Sequence, residues 1–315
     1  MSTTSTSAAP WWWWPYHFIS LTPSQIQERR DLLNLRGHYA QISALIVVVC
    51  VSVYRRVIIG GRGNNNRGKK ERGLLRKPSS WLDRPPVKGW GETRREYLVA
   101  MGWLVLMVGI SGWRTGEDYL HLTKSLAQTS FANIPLQILL SPKLSSPRSS
   151  TTTTTNKPKT IIPAIITNPI STLTTIPPAR LTPYHRLIGR IIITPLLSLH
   201  AILYLAFFAM NNHPVPLLPK RLQDADVQWG IMAVTLLLVM LGTSAAASGS
   251  GSGRKGVWRW WGLRRRVSRD TFYALHVSLV LGLMGAVYAH VSYARRFVVQ
   301  GLAVYAVDVV AGYLF

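Results

Sequence analysis

Four histidines inside apolar segments are the residues of this chain with chemistry to offer. His185 and His200 close the two ends of HRLIGRIIITPLLSLH, and His276 and His290 lie within TFYALHVSLVLGLMGAVYAHVSY. An ionisable side chain in such surroundings is costly and marks function by default. The members of the two pairs stand fifteen and fourteen residues apart, which on a helix is a separation of about 21–23 Å. At about 100° per residue, fourteen steps return to within about 40° of the same face and fifteen to within about 60°. Each helix therefore presents one face with a histidine near either end. Two such helices, facing, make two bis-histidine sites at two depths. Imidazole nitrogens on opposite sides of a flat macrocycle can ligate haem iron axially. Zinc fits less well, because helical zinc pairs sit at i, i+4. Interhelical hydrogen bonding, or proton movement in a non-catalytic channel or transporter, are the alternatives that residue type and spacing leave open.

The elements that must position these residues are membrane helices. The chain is 48% hydrophobic and 15% charged, yet carries 36 Lys and Arg against 12 Asp and Glu, a net charge of +24. The basic residues come in blocks at the ends of long apolar runs, which is the pattern of a polytopic membrane protein and not of a nucleic-acid-binding surface. Seven segments suit a bilayer core that needs roughly 20 apolar helical residues: 38–54, 96–113, 118–140, 186–210, 227–247, 271–293 and 297–315. The third, with His121, Lys124 and Pro135, is the least apolar. The expected fold is all-α, a polytopic bundle of about seven transmembrane helices in membrane lipid.

Charge orients the bundle. The stretch 55–95 holds thirteen Lys and Arg against three acids, 248–270 holds seven against one, and 141–185 holds five against none. The positive-inside rule places all three in the cytosol and the N-terminus outside. The expected organisation is an extracytoplasmic tail over 1–37, three helices over 38–140 with the basic cytosolic loop 55–95, a Ser/Thr-rich low-complexity cytosolic insert over 141–184, and a histidine-bearing core over 185–315. The tail carries four consecutive tryptophans, 11–14, suited to an interfacial anchor or a disordered segment. GSGSGRKG at 249–256 suits a flexible linker. The single cysteine, Cys50, excludes a disulfide framework and suits a small apolar helix residue. His17, His38 and His121 have no partner at ligand spacing, and His213 fits a plain loop.

LTPYHRLIGR followed by LHAILYLAFF, then FYALH and YAHVSY, resembles the haem-binding core of fungal ferric reductases, relatives of the NADPH oxidases. GHYAQISALIV at 37–47, DYLHLTKSL at 118–126, FANIPLQILL at 131–140 and NPISTL at 168–173 share the resemblance, which runs from about 37 to 315. It implies two b-type haems, the inner on His185 and His276 and the outer on His200 and His290. It also implies reduction of extracellular ferric or cupric ions by electrons from cytosolic NADPH through FAD, at the plasma membrane. Superoxide formation at the outer haem would use the same path. Arg186 and Arg190 suit haem propionates, as Arg favours bidentate carboxylate contacts, or else cytosolic snorkelling. Arg295 and Arg296 suit outer propionates or an exposed turn.

The sequence departs from the family twice. The first histidine helix has one residue more than the usual spacing, and Pro195, which removes a helix hydrogen bond, lies within it. An irregularity there is expected to absorb the extra residue and re-aim His200. The family also continues into FAD and NADPH domains, whereas no flavin motif is found here and GGRG at 60–63 lacks a strand–helix setting. The expectation is either a truncated product or a separate flavoprotein that donates the electrons, with the chain acting as the membrane component of a ferric-chelate reductase.

Overall fold

A computed structural model describes residues 16, 19–59, 81–87, 91–141, 169–210, 217–248 and 269–314. Every extended element among them is helical. The helices are α1 (Pro23–Tyr54), α2 (Arg94–Gly112), α3 (Tyr119–Ala132), α4 (Ile134–Leu139), α5 (Pro169–Thr174), α6 (Pro178–Leu187), α7 (Thr194–Met210), α8 (Leu217–Arg221), α9 (Ala225–Ser248), α10 (Arg269–His290) and α11 (Arg295–Leu314). Short π-helices continue α1 over Arg55–Ile59 and join α6 to α7 over Ile188–Ile193.

Among the described residues, five helices are long and apolar enough to cross a membrane: Pro23–Val57, Arg94–Gly112, Pro178–Met210, Ala225–Ser244 and Asp270–His290. Their outward faces carry Leu45, Ile46, Val53, Val105, Ile202, Leu238 and other exposed apolar side chains. A belt of this kind belongs in lipid, since in water it would drive association. The chain is an all-α polytopic membrane bundle.

Three segments differ from expectation, the predicted span 297–315 among them: it forms α11 but is not one of these five helices. The first helix begins at Pro23 and not at His38, so part of the predicted tail is helix. Thr22 and Gln25 form a capping box there, with Pro23 at the first helical position, which satisfies amide donors at that end. The predicted span 118–140 is not one helix but α3 and α4, broken at Asn133. Pro135 cannot donate to the ladder and crowds the preceding turn. The Asn133 amide covers the break, donating to the Thr129 carbonyl at 2.8 Å and accepting from Trp103 Nε1 at 3.0 Å.

Eleven of the fourteen residues of α3 are buried, which makes it the axis of the bundle instead of a lipid-facing span. It packs against α1, α2 and α7, while α9 pairs with α10 and α4 with α11. Arg36 of α1 is fully buried. It donates to the Trp113 carbonyl through Nε at 2.9 Å and through a second nitrogen, and to His121 Nε2 at 2.8 Å. A guanidinium at zero exposure needs every such acceptor. Arg29 reaches Asp118 at 3.7 Å and the Thr115 carbonyl at 3.1 Å, so the same end of α1 is tied to the turn before α3.

Candidate functional site

The four histidines of the two long helices gather at two levels. His185 lies in the last turn of α6 and faces His276 of α10, ring centroids 6.4 Å apart and ring planes at 68°. His200 of α7 lies close enough to His290, at the end of α10, for the two imidazoles to interact. All four are half-buried.

Their alignment depends on the π-helix. The Thr194 amide donates to the carbonyl of Gly189, five residues back, so the wide turn takes one residue more than an α-turn. Fifteen residues from His185 to His200 thus advance the helix as fourteen would, matching the fourteen between His276 and His290. Pro195 follows the wide turn directly and cannot donate to the carbonyl of residue 191. Hydroxyls support the carbonyls around it: Thr194 Oγ1 donates to Gly189 at 2.7 Å and Ser130 to Ile193 at 3.2 Å. The expected irregularity is present, in the turn ahead of the proline.

Backbone carbonyls from three other segments fix the rings. His185 Nδ1 lies 2.9 Å from the Gln137 carbonyl, His200 Nδ1 2.9 Å from that of Thr123, and His290 Nδ1 2.5 Å from that of Asp226. A carbonyl can only accept, so each Nδ1 carries the proton and each Nε2 keeps its lone pair. The Gln137 carbonyl is available because α4 ends there: Ser141 donates to Ile138, leaving Gln137 unclaimed at the helix terminus. The Gln137 amide also donates to the His185 carbonyl at 2.8 Å, so this residue holds both ring and backbone. His121 is opposite in kind, because Arg36 occupies its Nε2. His38 likewise meets Arg296, at 3.2 Å.

This pattern is that of imidazoles prepared as metal ligands, oriented by the hydrogen bond at the far nitrogen. The 6.4 Å between His185 and His276 leaves room for two metal–nitrogen bonds of about 2 Å each, the rest being ring radii. Among the described residues no group of three or more His, Cys, Asp or Glu converges on one point. Two imidazoles per level therefore suit a metal whose remaining ligands come from its own macrocycle, and the residues present fit haem.

The arginines are engaged elsewhere. Arg186 and Arg190 both reach Glu92 Oε1, at 3.4 and 2.6 Å, and Glu92 is itself buried. This carboxylate, missed in the sequence because it lies in a basic loop, ties α6 and the π-helix to the entry of α2. Arg295 donates to the Tyr288 carbonyl at 3.0 Å, and Arg296 to Asn34 and His38; both brace helices. His17 and His213 lie outside the described residues.

The small residues near the histidines divide by role. A Cβ on Gly189 would meet the Gln137 amide at 3.1 Å, one on Gly282 would meet Leu236 at 3.5 Å, and Gly285 faces open space. Gly230 of α9 was not anticipated: a Cβ there would stand 2.8 Å from His290 Cε1. Gly230→Ala is expected to push the ring off the Asp226 carbonyl and loosen the His200–His290 level alone, by 10- to 100-fold in ligand retention, the usual scale for such supporting contacts. Gly242→Ala, with nothing within 4 Å, is the control. Cofactor retention during dialysis against apomyoglobin reads the difference.

The bundle thus sets His185 opposite His276 and orients the rings of His185, His200 and His290 by backbone carbonyls. The chain belongs to the ferric reductase like transmembrane component family, whose profile matches residues 126–287, about half of its length. His185, His200 and His276 lie within that stretch and His290 just beyond it. No curated protein and no solved structure matches the chain.

Proposed function

We propose that the protein carries electrons across the membrane through two b-type haems, one on His185 and His276 and the other on His200 and His290. The electrons come from cytosolic NADPH by way of a flavin, and the acceptor is ferric or cupric ion outside. The carrying observation is the free Nε2 at three of the four rings, fixed by carbonyls at Gln137, Thr123 and Asp226. Bound there, haem iron supplies one-electron chemistry between its ferrous and ferric states. The chain's own part is to set ligand direction and to keep the path dry. Val287, Met284, Leu196, Leu197 and Leu237 are buried in the same core and exclude water between the levels. Positive-inside charge puts the His185 level toward the cytosol, where a reduced flavin can reach it.

The test is a dithionite-reduced minus oxidised spectrum of the purified protein with a haemochrome count. A b-type spectrum with two haems per chain supports the proposal. A helical, monodisperse protein without a Soret band sinks it.

A further inference from the structure

His276 differs from the other three histidines. Its Nδ1 is buried and has no hydrogen-bond partner among the described residues, where the other rings each have a carbonyl. Packing alone holds it: the ring stacks on Phe272, one turn earlier in α10, at 5.5 Å and 30°, and meets His185 edge-on. A buried ring nitrogen left without a partner is uncommon enough to require a reason.

The reason follows from donor strength. A hydrogen bond from the far N–H to a carbonyl raises the basicity of a ligating imidazole. The stronger donor favours the more highly charged, ferric iron. An imidazole without that bond favours the ferrous state instead. We infer that His276 is the weak donor of the four, and that its missing hydrogen bond raises the reduction potential of the His185–His276 centre. This rests on the haem assignment above. The centre so tuned is the one on the cytosolic side, where electrons enter, so the device eases the first transfer from the donor. The other level, with both rings anchored, lacks it.

The experiment supplies the missing acceptor. Phe272→Gln places a neutral amide oxygen four residues before His276, on the same helix face, and Phe272→Leu removes the aromatic ring without offering an acceptor. Spectroelectrochemistry of the purified full chain follows the two haem transitions. In Phe272→Gln one transition is expected to move down by about tenfold in its reduction equilibrium, 59 mV for a one-electron couple, while the other stays in place. Phe272→Leu is expected to move neither. Phe272→Glu, a second acceptor variant, is expected to shift the same transition further. Equal shifts in the Gln and Leu variants, or two haems with unmoved potentials in both acceptor variants, would overturn the inference alone. A wild-type protein without a Soret band would remove the proposed function, and this inference with it.

Discussion

His185→Ala and His276→Ala are each expected to leave one haem per chain, and the double variant to leave the same one. Both rings belong to one level, 6.4 Å apart, so removing the second ligand takes nothing further. His185→Ala combined with His200→Ala is expected to leave none. Residues that act as a unit show this non-additivity, whereas independent sites add. Outward ferric reduction should fall by at least about a hundredfold in every case, the upper end of what supporting contacts alone cost, because one lost centre opens the path. The haemochrome count reads the pairing directly. Single-variant losses that added within a level would show that His185 and His276 do not share a group.

The second large effect concerns helix phase. Deleting Ile191 together with Pro195→Ala is expected to turn the wide turn into ordinary α-helix and retain both haems. The histidines would then stand fourteen residues apart, still within about 40° of one face. The proline must go too, since in a regular helix it costs about 3 kcal/mol. Deleting Leu281 from α10 removes the same number of residues where no irregularity can absorb the loss. Thirteen steps set His276 and His290 about 140° apart, and one haem is expected to go. Haem content and thermal melting of the two deletions, measured side by side, decide it. Loss of a haem in the first would mean that the π-helix shapes the site beyond restoring phase.

Much of this was legible in the sequence for a simple reason. Membrane helices must be long, apolar and internally hydrogen-bonded, so length and composition reveal them. Helical periodicity then fixes which residues share a face, and His185, His200, His276 and His290 could be paired by depth before any contact was known. The extra residue near Pro195 was visible as a spacing anomaly. The segment 118–140 misled because burial inside a bundle tolerates polar residues that lipid does not. Thr123, Ser125 and Gln128 are fully buried in α3, where α1, α2 and α7 surround them, and a helix break at Asn133 is acceptable there for the same reason.

The sequence by itself determined most of the apolar helices and the spacing of the four histidines along two of them, because those follow from local periodicity and from the cost of polar groups in lipid. Only the tertiary structure decided which nitrogen is free in three of the four rings. His185, His200 and His290 are oriented by carbonyls 48, 77 and 64 residues away, and every residue has a carbonyl, so no residue type announces these contacts. The same holds for Glu92, whose hold on Arg186 and Arg190 spans nearly a hundred residues, and for Gly230, whose missing side chain makes room for His290. A ring's chemistry is set by what meets its far side, and packing alone brings those groups together.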